Sequence, residues 1–266
     1  MKLYKNIAIA LVAATASFGI ATTATAAEEG KHPEQQKWSF DGMLGKYDEA
    51  ALQRGWQVYQ QVCSACHSLK YFNFRNLGDM GYEPDMVKAF AKEYEVAGEV
   101  DDAGDETVRA ALPQDVFPAP FANENAARAS NGGALPPDLS LITKARHDGP
   151  NYLYSLLVGY SDAPAGVTVA DGMMYNAYFK GGQISMAPPL SEGIIDYQDG
   201  TPATEEQLAR DVVQFLAFVA EPKLEARKHM GVNVLLFLFA MTVIFYLSMK
   251  KIWKPVKKGE IFYDDK

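Results

Sequence analysis

The chain contains two cysteines, Cys63 and Cys66, and His67 follows the second of them at once in a Cys-x-x-Cys-His motif. This spacing is the attachment signature of c-type haem. Each thiol adds to one vinyl group on one edge of the porphyrin, and a separation of three residues on a helical turn places both sulfurs on the same side. The imidazole then lies under the iron as its proximal ligand. The motif therefore predicts a fold organised around one covalent haem.

Three other interpretations of the motif fit the rest of the sequence less well. A structural zinc site usually has four ligands, and the sequence offers no second cysteine pair or histidine pair. A thioredoxin-like redox pair belongs in a βαβ context, which the hydrophobic pattern does not indicate. A disulfide between Cys63 and Cys66 stays open as an alternative, although it gives no reason for the adjacent His67.

Two apolar segments lie near the ends of the chain. The first follows Lys2 and Lys5 and leads to small residues that suit cleavage near Ala27, which predicts a secretory signal peptide. The second, residues 230–249, carries no formal charge. At roughly 1.5 Å per residue it spans about 30 Å, the thickness of the hydrocarbon layer. The alternatives are an N-terminal membrane anchor for the first segment and a buried soluble helix for the second.

The charges that flank the second segment predict its orientation. Lysines are more numerous after it than before it, which favours a cytoplasmic C-terminus. We therefore divide the chain into a signal peptide at 1–27, a periplasmic cytochrome c domain at 28–222, a linker and transmembrane helix at 223–249 and a cytoplasmic tail at 250–266.

Hydrophobic periodicity and capping residues predict four helices in the exported domain, at 48–61, 84–94, 151–160 and 204–219. The last of these begins with a predicted capping box that pairs Thr204 with Gln207. Residues 113–137 and 162–200 are rich in glycine and proline and are predicted to be irregular. Loops of that length are uncommon in a compact domain without a special reason, and a large cofactor in the core is such a reason.

The chain is acidic, with a formal net charge of −8. This charge argues against nucleic acid as a partner and favours basic proteins. Seven acids cluster between residues 93 and 106: Glu93, Glu95, Glu99, Asp101, Asp102, Asp105 and Glu106. The cluster is interpreted either as a docking site for a basic protein or as a solvated, mobile loop.

The motif does not identify the second axial ligand of the iron. The candidates outside the C-terminal apolar segment and the haem motif are histidines and methionines: His32, His147, His229, Met43, Met80, Met86, Met173, Met174 and Met186. Met186 stands out, because glycines before it and two prolines after it suit a rigid loop that presents one side chain. A single methionine is more often core filler than a ligand, so the residues alone leave this choice open.

Several stretches, taken in order, resemble the cytochrome c1 family, the haem-bearing subunits of cytochrome bc1 complexes, in a bacterial form. They are residues 54–59 leading into the haem motif, then 71–77, 129–140, 144–147 and 186–190, followed by the C-terminal apolar segment. The resemblance runs from about Trp38 to the C-terminus. It implies a mainly α fold, with a class I cytochrome c-like core and loop insertions around a covalent haem, plus one C-terminal transmembrane helix.

The resemblance also implies roles for individual residues. His67 and Met186 become the two axial ligands of the haem iron, Arg146 pairs with a haem propionate, and Tyr152 lies near that propionate. Three residues would line the haem pocket: Asn131, Pro136 and Pro137. The alternatives are a solvated surface cation at Arg146 and an ordinary loop break at the two prolines. Some bacterial members carry an extra cysteine pair, which this chain lacks, so no disulfide can brace residues 162–186.

The function implied by the resemblance is electron relay within a dimeric complex that oxidises ubiquinol and translocates protons. The chain is then not an enzyme on its own. It accepts electrons from the Rieske iron–sulfur protein, beside cytochrome b, and delivers them to cytochrome c at the outer face of the bacterial inner membrane. Two axial protein ligands leave no open iron site, which suits this role. The alternatives are an enzyme or sensor with an open distal site, such as a peroxidase, and a free-standing tethered cytochrome.

Overall fold

A computed structural model describes residues 30–259, so the predicted signal peptide at 1–27 and the last residues of the predicted tail lie outside the described residues. The described part is mainly helical, and the predicted fold class is confirmed. Its α-helices, in chain order, are α1 (Glu49–Gln61), α2 (Pro84–Lys92), α3 (Glu124–Ser130), α4 (Gly149–Val158), α5 (Glu205–Ala220) and α6 (Leu224–Lys257). Two short 3-10 helices, Cys63–Ala65 and Phe74–Met80, follow α1, and the first begins the haem motif.

Two small antiparallel sheets lie in the connections between the helices. Strands β1 (Glu95–Val100) and β2 (Glu106–Ala110) pair with each other, as do the two-residue strands β3 (Met174–Tyr175) and β4 (Gln183–Ile184). The acidic stretch at 93–106 is therefore an ordered hairpin. Asp101 shapes its turn, because its carboxylate accepts hydrogen bonds from the backbone N–H groups of Ala103 at 2.8 Å and Asp105 at 2.9 Å.

Helix α1 forms where periodicity predicts it and delivers the haem motif. The Asp48 side chain caps its start by accepting from the backbone N–H groups of Ala50 and Ala51 at 3.0 and 3.2 Å. The predicted apolar face is buried, and its three large members are Leu52, Trp56 and Tyr59. Because α1 ends only two residues before Cys63, this buried face fixes the position of the motif.

Helices α1 and α5 cross in close contact over Gly55. A Cβ atom at this position would lie 2.1 Å from the carbonyl oxygen of Asp211 and 2.6 Å from the Cβ atom of Phe215. Non-bonded heavy atoms prefer separations of about 3.5–4.0 Å, so only glycine permits this approach. The crossing holds the segment before the haem motif against the last helix of the soluble domain.

A buried ion pair joins the same two helices beside the glycine. The Arg54 guanidinium donates to both carboxylate oxygens of Asp211, at 2.8 and 3.1 Å, and to Asp199 at 2.8 Å. The Asp211 side chain is 1% exposed, whereas the Asp199 side chain is 43% exposed. Hydrogen bonding to Asp211 raises the pKa of Arg54, so the pair stays ionised.

An aromatic cluster fills the space between this crossing and the haem motif. The Trp56 ring packs against four others, with centroid distances between 5.3 and 6.0 Å: Tyr59, Phe72, Phe117 and Phe215. Such aromatic pairs contribute beyond their buried area. The Tyr59 hydroxyl also donates to the backbone carbonyl of His67 at 2.8 Å, so the cluster supports the histidine directly.

Two local predictions need correction. Residues 113–137 are not irregular throughout, because α3 forms within them and Asn123 caps it by accepting from Ala126 N at 2.9 Å. The capping box of α5 forms only in part. Thr204 accepts from the backbone N–H of Gln207 at 3.2 Å, but the Gln207 side chain donates to Asp211 at 2.9 Å instead of returning to the cap. The buried carboxylate is the stronger acceptor.

Helix α6 is longer than the predicted apolar segment. It contains 34 residues and extends about 50 Å. Its length and composition suffice to cross a membrane, and no residue of its most apolar window is buried inside the protein. This exposure contradicts the alternative of a buried soluble helix. A short turn after Ala220 separates α6 from α5, near the predicted domain boundary at 222, which stays a prediction.

Candidate haem site

The two cysteines lie on a single tight turn. The backbone N–H groups of Cys66 and His67 both bond to the carbonyl of Cys63, at 3.2 and 2.9 Å. In 3-10 geometry the side chains at positions i and i+3 eclipse each other, so both thiols leave the turn on the same side. Both thiols are free, as thioether attachment requires. The turn therefore has the geometry that two bonds to one porphyrin edge require.

The imidazole of His67 is held in one tautomer. Its Nδ1 atom lies 2.8 Å from the carbonyl oxygen of Pro137. A carbonyl can only accept, so Nδ1 carries the proton and Nε2 keeps the lone pair that binds a metal. Burial lowers the pKa of His67, which favours the neutral form that a ligand needs. Sequence reasoning placed Pro137 in the pocket lining but missed this contact, since every residue type offers a carbonyl.

Asp138 fastens the segment that carries the Pro137 carbonyl. Its carboxylate accepts from the Ser68 hydroxyl and the Lys70 backbone N–H, both at 2.8 Å, and from the Ser140 backbone N–H at 3.0 Å. Burial opposes the charge, but these hydrogen bonds outweigh burial and hold the pKa of Asp138 below its usual value. Asp138 therefore clamps residues 68–70 to residues 137–140, and sequence reasoning did not single it out.

Two of the polar contacts that tie the loop carrying Met186 to the domain lie close to that residue and at the base of the loop. The Tyr160 hydroxyl donates to the Met186 carbonyl at 3.0 Å. At the base of the loop, the side chain of the fully buried Asn176 donates to the Leu156 carbonyl at 2.8 Å. The competing sulfur of Met173 is engaged differently, because it accepts a hydrogen bond from Ser185 at 3.0 Å. Met186 itself is half-buried.

The predicted propionate residues adjoin this loop. Burial raises the pKa of Tyr152, and the neighbouring charge of Arg146 opposes part of that rise. Burial also raises the pKa of Tyr160, with a smaller contribution from Tyr152 beside it. The structure thus brings Arg146, Tyr152, Tyr160 and the Met186 backbone into one connected group. The Arg146 residue is exposed, so its pairing with a propionate stays a prediction.

A concave surface adjoins the histidine contact and the arginine. Its lining combines aromatic, aliphatic and basic side chains with the proline segment: Lys70, Tyr71, Pro137, Asp138, Leu141, Ile142, Ala145 and Arg146. Tyr71 and Leu141 are exposed by 69% and 46%, a large apolar exposure for a surface next to a fixed imidazole. An apolar wall with a basic rim suits the edge of a porphyrin that carries acidic substituents.

The other two predicted pocket residues, Asn131 and Pro136, precede Pro137 in the chain. Asn131 ends α3, where its side-chain amide donates to the Ala127 carbonyl at 2.7 Å. This contact gives Asn131 a structural use as a helix cap. Pro136 is half-buried and precedes Pro137 in the same non-helical segment. Their part in lining the pocket stays a prediction.

The donor set of the site fits haem better than a bare metal ion. Among residues 30–259, no group of three or more histidine, cysteine or acidic side chains is arranged to hold a metal. Two thiols on one side of a turn, with a neutral imidazole beside them, fit a macrocycle that brings its own four nitrogen ligands. The zinc alternative therefore finds no support in the described part of the chain.

Comparison with known proteins places these features in a family. A sequence profile described as the Cytochrome C1 family matches residues 38–256. A cytochrome c1 of Rhodospirillum rubrum is 47% identical over 264 residues, which cover 93% of this chain and 97% of that protein. A mitochondrial haem protein of Arabidopsis thaliana named cytochrome c1 1 is 46% identical over 250 residues, covering 93% and 81%. A Candida albicans protein named cytochrome b-c1 complex catalytic subunit is 44% identical over 241 residues, covering 90% and 84%.

Proposed function

This chain belongs to the cytochrome c1 family of haem-binding c-type cytochromes, and we propose that it relays single electrons from a Rieske iron–sulfur protein to a cytochrome c. The family is that of the haem subunit of the bc1 complex, and a relative carries that complex in its name. We further propose that cytochrome b and the Rieske protein are its partners, in a dimeric complex that couples ubiquinol oxidation to proton translocation.

The proposed roles of the site residues follow from their contacts. When bound, the haem supplies the one-electron couple of its iron. Cys63 and Cys66 attach the porphyrin, and His67 presents Nε2 because Pro137 holds Nδ1. The thioether of Met186 would be the second protein ligand of the haem iron, and the Tyr160 hydroxyl holds the backbone of its loop.

The hydrogen bond from Tyr160 to the Met186 carbonyl is the observation that most favours a relay over an enzyme. A peroxidase or a ligand sensor needs a vacant or displaceable sixth position on the iron. A loop tied to the domain at the ligand residue itself suits a permanent ligand, which keeps exogenous molecules away from the metal. Two permanent axial ligands suit electron transfer.

The proposed topology places the haem domain in the periplasm and the C-terminus in the cytoplasm of a bacterial inner membrane. Helix α6 fits a single membrane anchor. The lysines after residue 249 support the orientation, since positive residues favour the cytoplasmic side. A protease site inserted after Lys258 should be cut only from the cytoplasmic side, and cutting in intact cells from the periplasm would contradict this orientation.

Three measurements separate the proposal from its alternatives. The oxidised protein should show a sulfur-to-iron charge-transfer band, and the reduced protein should not bind carbon monoxide. A missing band together with carbon monoxide binding would instead indicate an open distal site. The chain should also co-purify with a cytochrome b and a Rieske protein, and its isolation as a single tethered subunit from gently solubilised membranes would favour a free-standing carrier.

The acidic hairpin formed by β1 and β2 is proposed to steer a basic electron acceptor. Neutralising Glu99, Asp102 and Asp105 while keeping the turn-forming Asp101 should lower the second-order rate at low salt and weaken its salt dependence. Surface charges act mainly on association, and salt screens them over about 10 Å at 0.1 M. Neutralising the exposed acids of the α2 region provides a control with the same charge change: Asp79, Glu83 and Asp85. Equal salt curves for both triple variants would refute the steering role.

A further inference from the structure

A closed turn at residues 39–46 lies beside the first turns of α6. Its ends are joined by a hydrogen bond from Lys46 N to the Ser39 carbonyl at 3.0 Å. Gly42 has a φ of +68°, which favours glycine, and a Cβ atom on Gly45 would lie 2.0 Å from the carbonyl oxygen of Asp41. The turn is therefore tight, and its shape is set by backbone geometry.

Several contacts fix this turn to the helix. The Lys228 ammonium donates to the carbonyl oxygens of Phe40 and Gly45. The backbone N–H of Tyr47 bonds to the Glu225 carboxylate at 2.9 Å, immediately after the turn. The position of the turn along α6 is thus fixed at the level of Lys228.

The turn separates its apolar side chains into two groups. Phe40 is 8% exposed, and its ring lies 5.6 Å from Trp38 and 5.1 Å from Tyr47. At the tip, Met43 is 62% exposed and Leu44 is 81% exposed. Single exposed apolar residues are common on soluble proteins, but two neighbours at the tip of a rigid turn form a local apolar protrusion.

The level of the turn coincides with the beginning of the apolar segment of α6. Met230, where that segment begins, is only about 3 Å farther along the helix axis than Lys228. The headgroup layer on each side of a bilayer is roughly 5–8 Å thick, so a hydrocarbon layer that begins at Met230 would place the turn within the headgroup layer. The charges at this level are mixed, because Lys46 and Lys228 are basic, Asp41 and Glu225 are acidic, and Arg227 pairs with Glu221.

We propose that Met43 and Leu44 insert into the boundary between the headgroups and the acyl chains, as a second membrane contact beside α6. One helix alone leaves the haem domain free to tilt over the bilayer. A rigid apolar protrusion on the same side removes that freedom and fixes the height of the haem site above the membrane. This inference rests on the membrane anchor and not on the proposed electron relay.

The test uses the full-length, haem-loaded chain in vesicles of phosphatidylcholine and phosphatidylglycerol. Because Cys63 and Cys66 are consumed by haem attachment, a nitroxide label on Met43→Cys or Leu44→Cys is site-specific. Val108→Cys is the matched control, since Val108 is 69% exposed on the hairpin strand β2, and Leu238→Cys in the middle of α6 marks the bilayer interior. Collision rates of the label with oxygen and with a water-soluble nickel chelate report its depth.

The ratio of oxygen to nickel collisions at residues 43 and 44 should exceed that at residue 108 several-fold and stay below the value at residue 238. Ratios at 43 and 44 equal to the ratio at 108 would overturn the proposal. Labels protected in the purified complex but accessible to nickel in vesicles of the single chain would also overturn it, because a protein neighbour would then cover the turn. Absorbance of the attached haem confirms that each variant carries the cofactor, and the helical circular dichroism signal confirms that it is folded, whatever the relay measurements give.

Discussion

The two sides of the haem site are built differently. Under His67, the chain is held by the crossing of α1 and α5, by an ion pair that is almost fully buried and by packed aromatic rings. Around Met186, two strands of two residues each and individual hydrogen bonds hold a long irregular loop. The histidine side is stabilised by contacts that pack together in one core, whereas the methionine side is held by separate polar contacts that can be removed one at a time.

The largest effect is expected where the histidine side is most tightly coupled. Asp211→Ala leaves the Arg54 charge half-paired inside the α1–α5 crossing, and breaking a buried pair in this way costs about 3–5 kcal/mol. Denaturant unfolding of the full chain in detergent should report that loss. Asp199→Ala, which removes the exposed partner of the same arginine, is the matched control and should cost far less. Equal losses for both variants would show that burial does not distinguish the two carboxylates.

On the methionine side, Met186→Leu keeps the side-chain volume and removes the sulfur. A thioether favours ferrous over ferric iron, so the reduction potential should fall by about a hundred millivolts or more, within the roughly 0.8 V range that axial ligands command. The haem should stay attached through Cys63 and Cys66, and the reduced protein should now bind carbon monoxide.

Met173→Leu is the control for this prediction, because Met173 lies at the base of the same loop and accepts a hydrogen bond from Ser185. A reduction potential that stays unchanged in Met186→Leu and falls in Met173→Leu would show that Met173, and not Met186, is the iron ligand.

The hydrogen bonds of Asp138 make the stability of the segment around His67 depend on pH. The pKa of this group is lower in the folded protein than the ordinary value of 3.8, so its stabilising effect is fully present above pH 3.8. The effect is lost as the pH falls through the lower folded pKa. Asp138→Asn should therefore be less stable than the parent protein at neutral pH, by about 1–3 kcal/mol, and the difference should shrink in acid. A difference that grows in acid would contradict this sign.

The smallest effect is expected from Tyr160→Phe, which removes one hydrogen bond to the Met186 carbonyl. Such a bond contributes about 0.5–1.5 kcal/mol. The sulfur-to-iron charge-transfer band should then disappear at a lower denaturant concentration than the helical signal. In Tyr152→Phe, the control that removes the neighbouring hydroxyl, both signals should change as in the parent protein. Loss of band and helix together in Tyr160→Phe would show that the loop does not depend on this contact.

The difference between local patterns and contacts made only by folding decides which features could be predicted from the sequence. The haem motif and the periodic helices α1 and α5 are local patterns, so their positions follow from neighbouring residues. The family to which the chain belongs could be predicted from several short stretches taken in order. The roles of Asp138 and Tyr160 could not be predicted, because each acts on a residue brought near by folding. Tyr160, for example, bonds to a residue 26 positions later, and Arg54 pairs with one 157 positions later.

The number of glycines and prolines explains the wrong prediction for residues 113–137. Residues 113–137 contain enough of both to suggest a loop, yet three prolines precede α3, and two glycines and two prolines follow it. The segment between them is rich in alanine and capped by Asn123, which suffices for two turns of helix. The average composition of the segment conceals this arrangement, whereas the positions of the individual glycines and prolines reveal it.

The crossing at Gly55 also bears on the order in which the protein matures. On a chain exported from its N-terminus, α1 and the haem motif reach the far side of the membrane well before α5 does. Contacts between segments so distant in sequence form late, because the loop between them must close first. Until α5 arrives on such a chain, the packing of Trp56 against Phe215 cannot form, and Cys63 and Cys66 would stay accessible for haem attachment. The long separation between the two helices would therefore leave time for the covalent step.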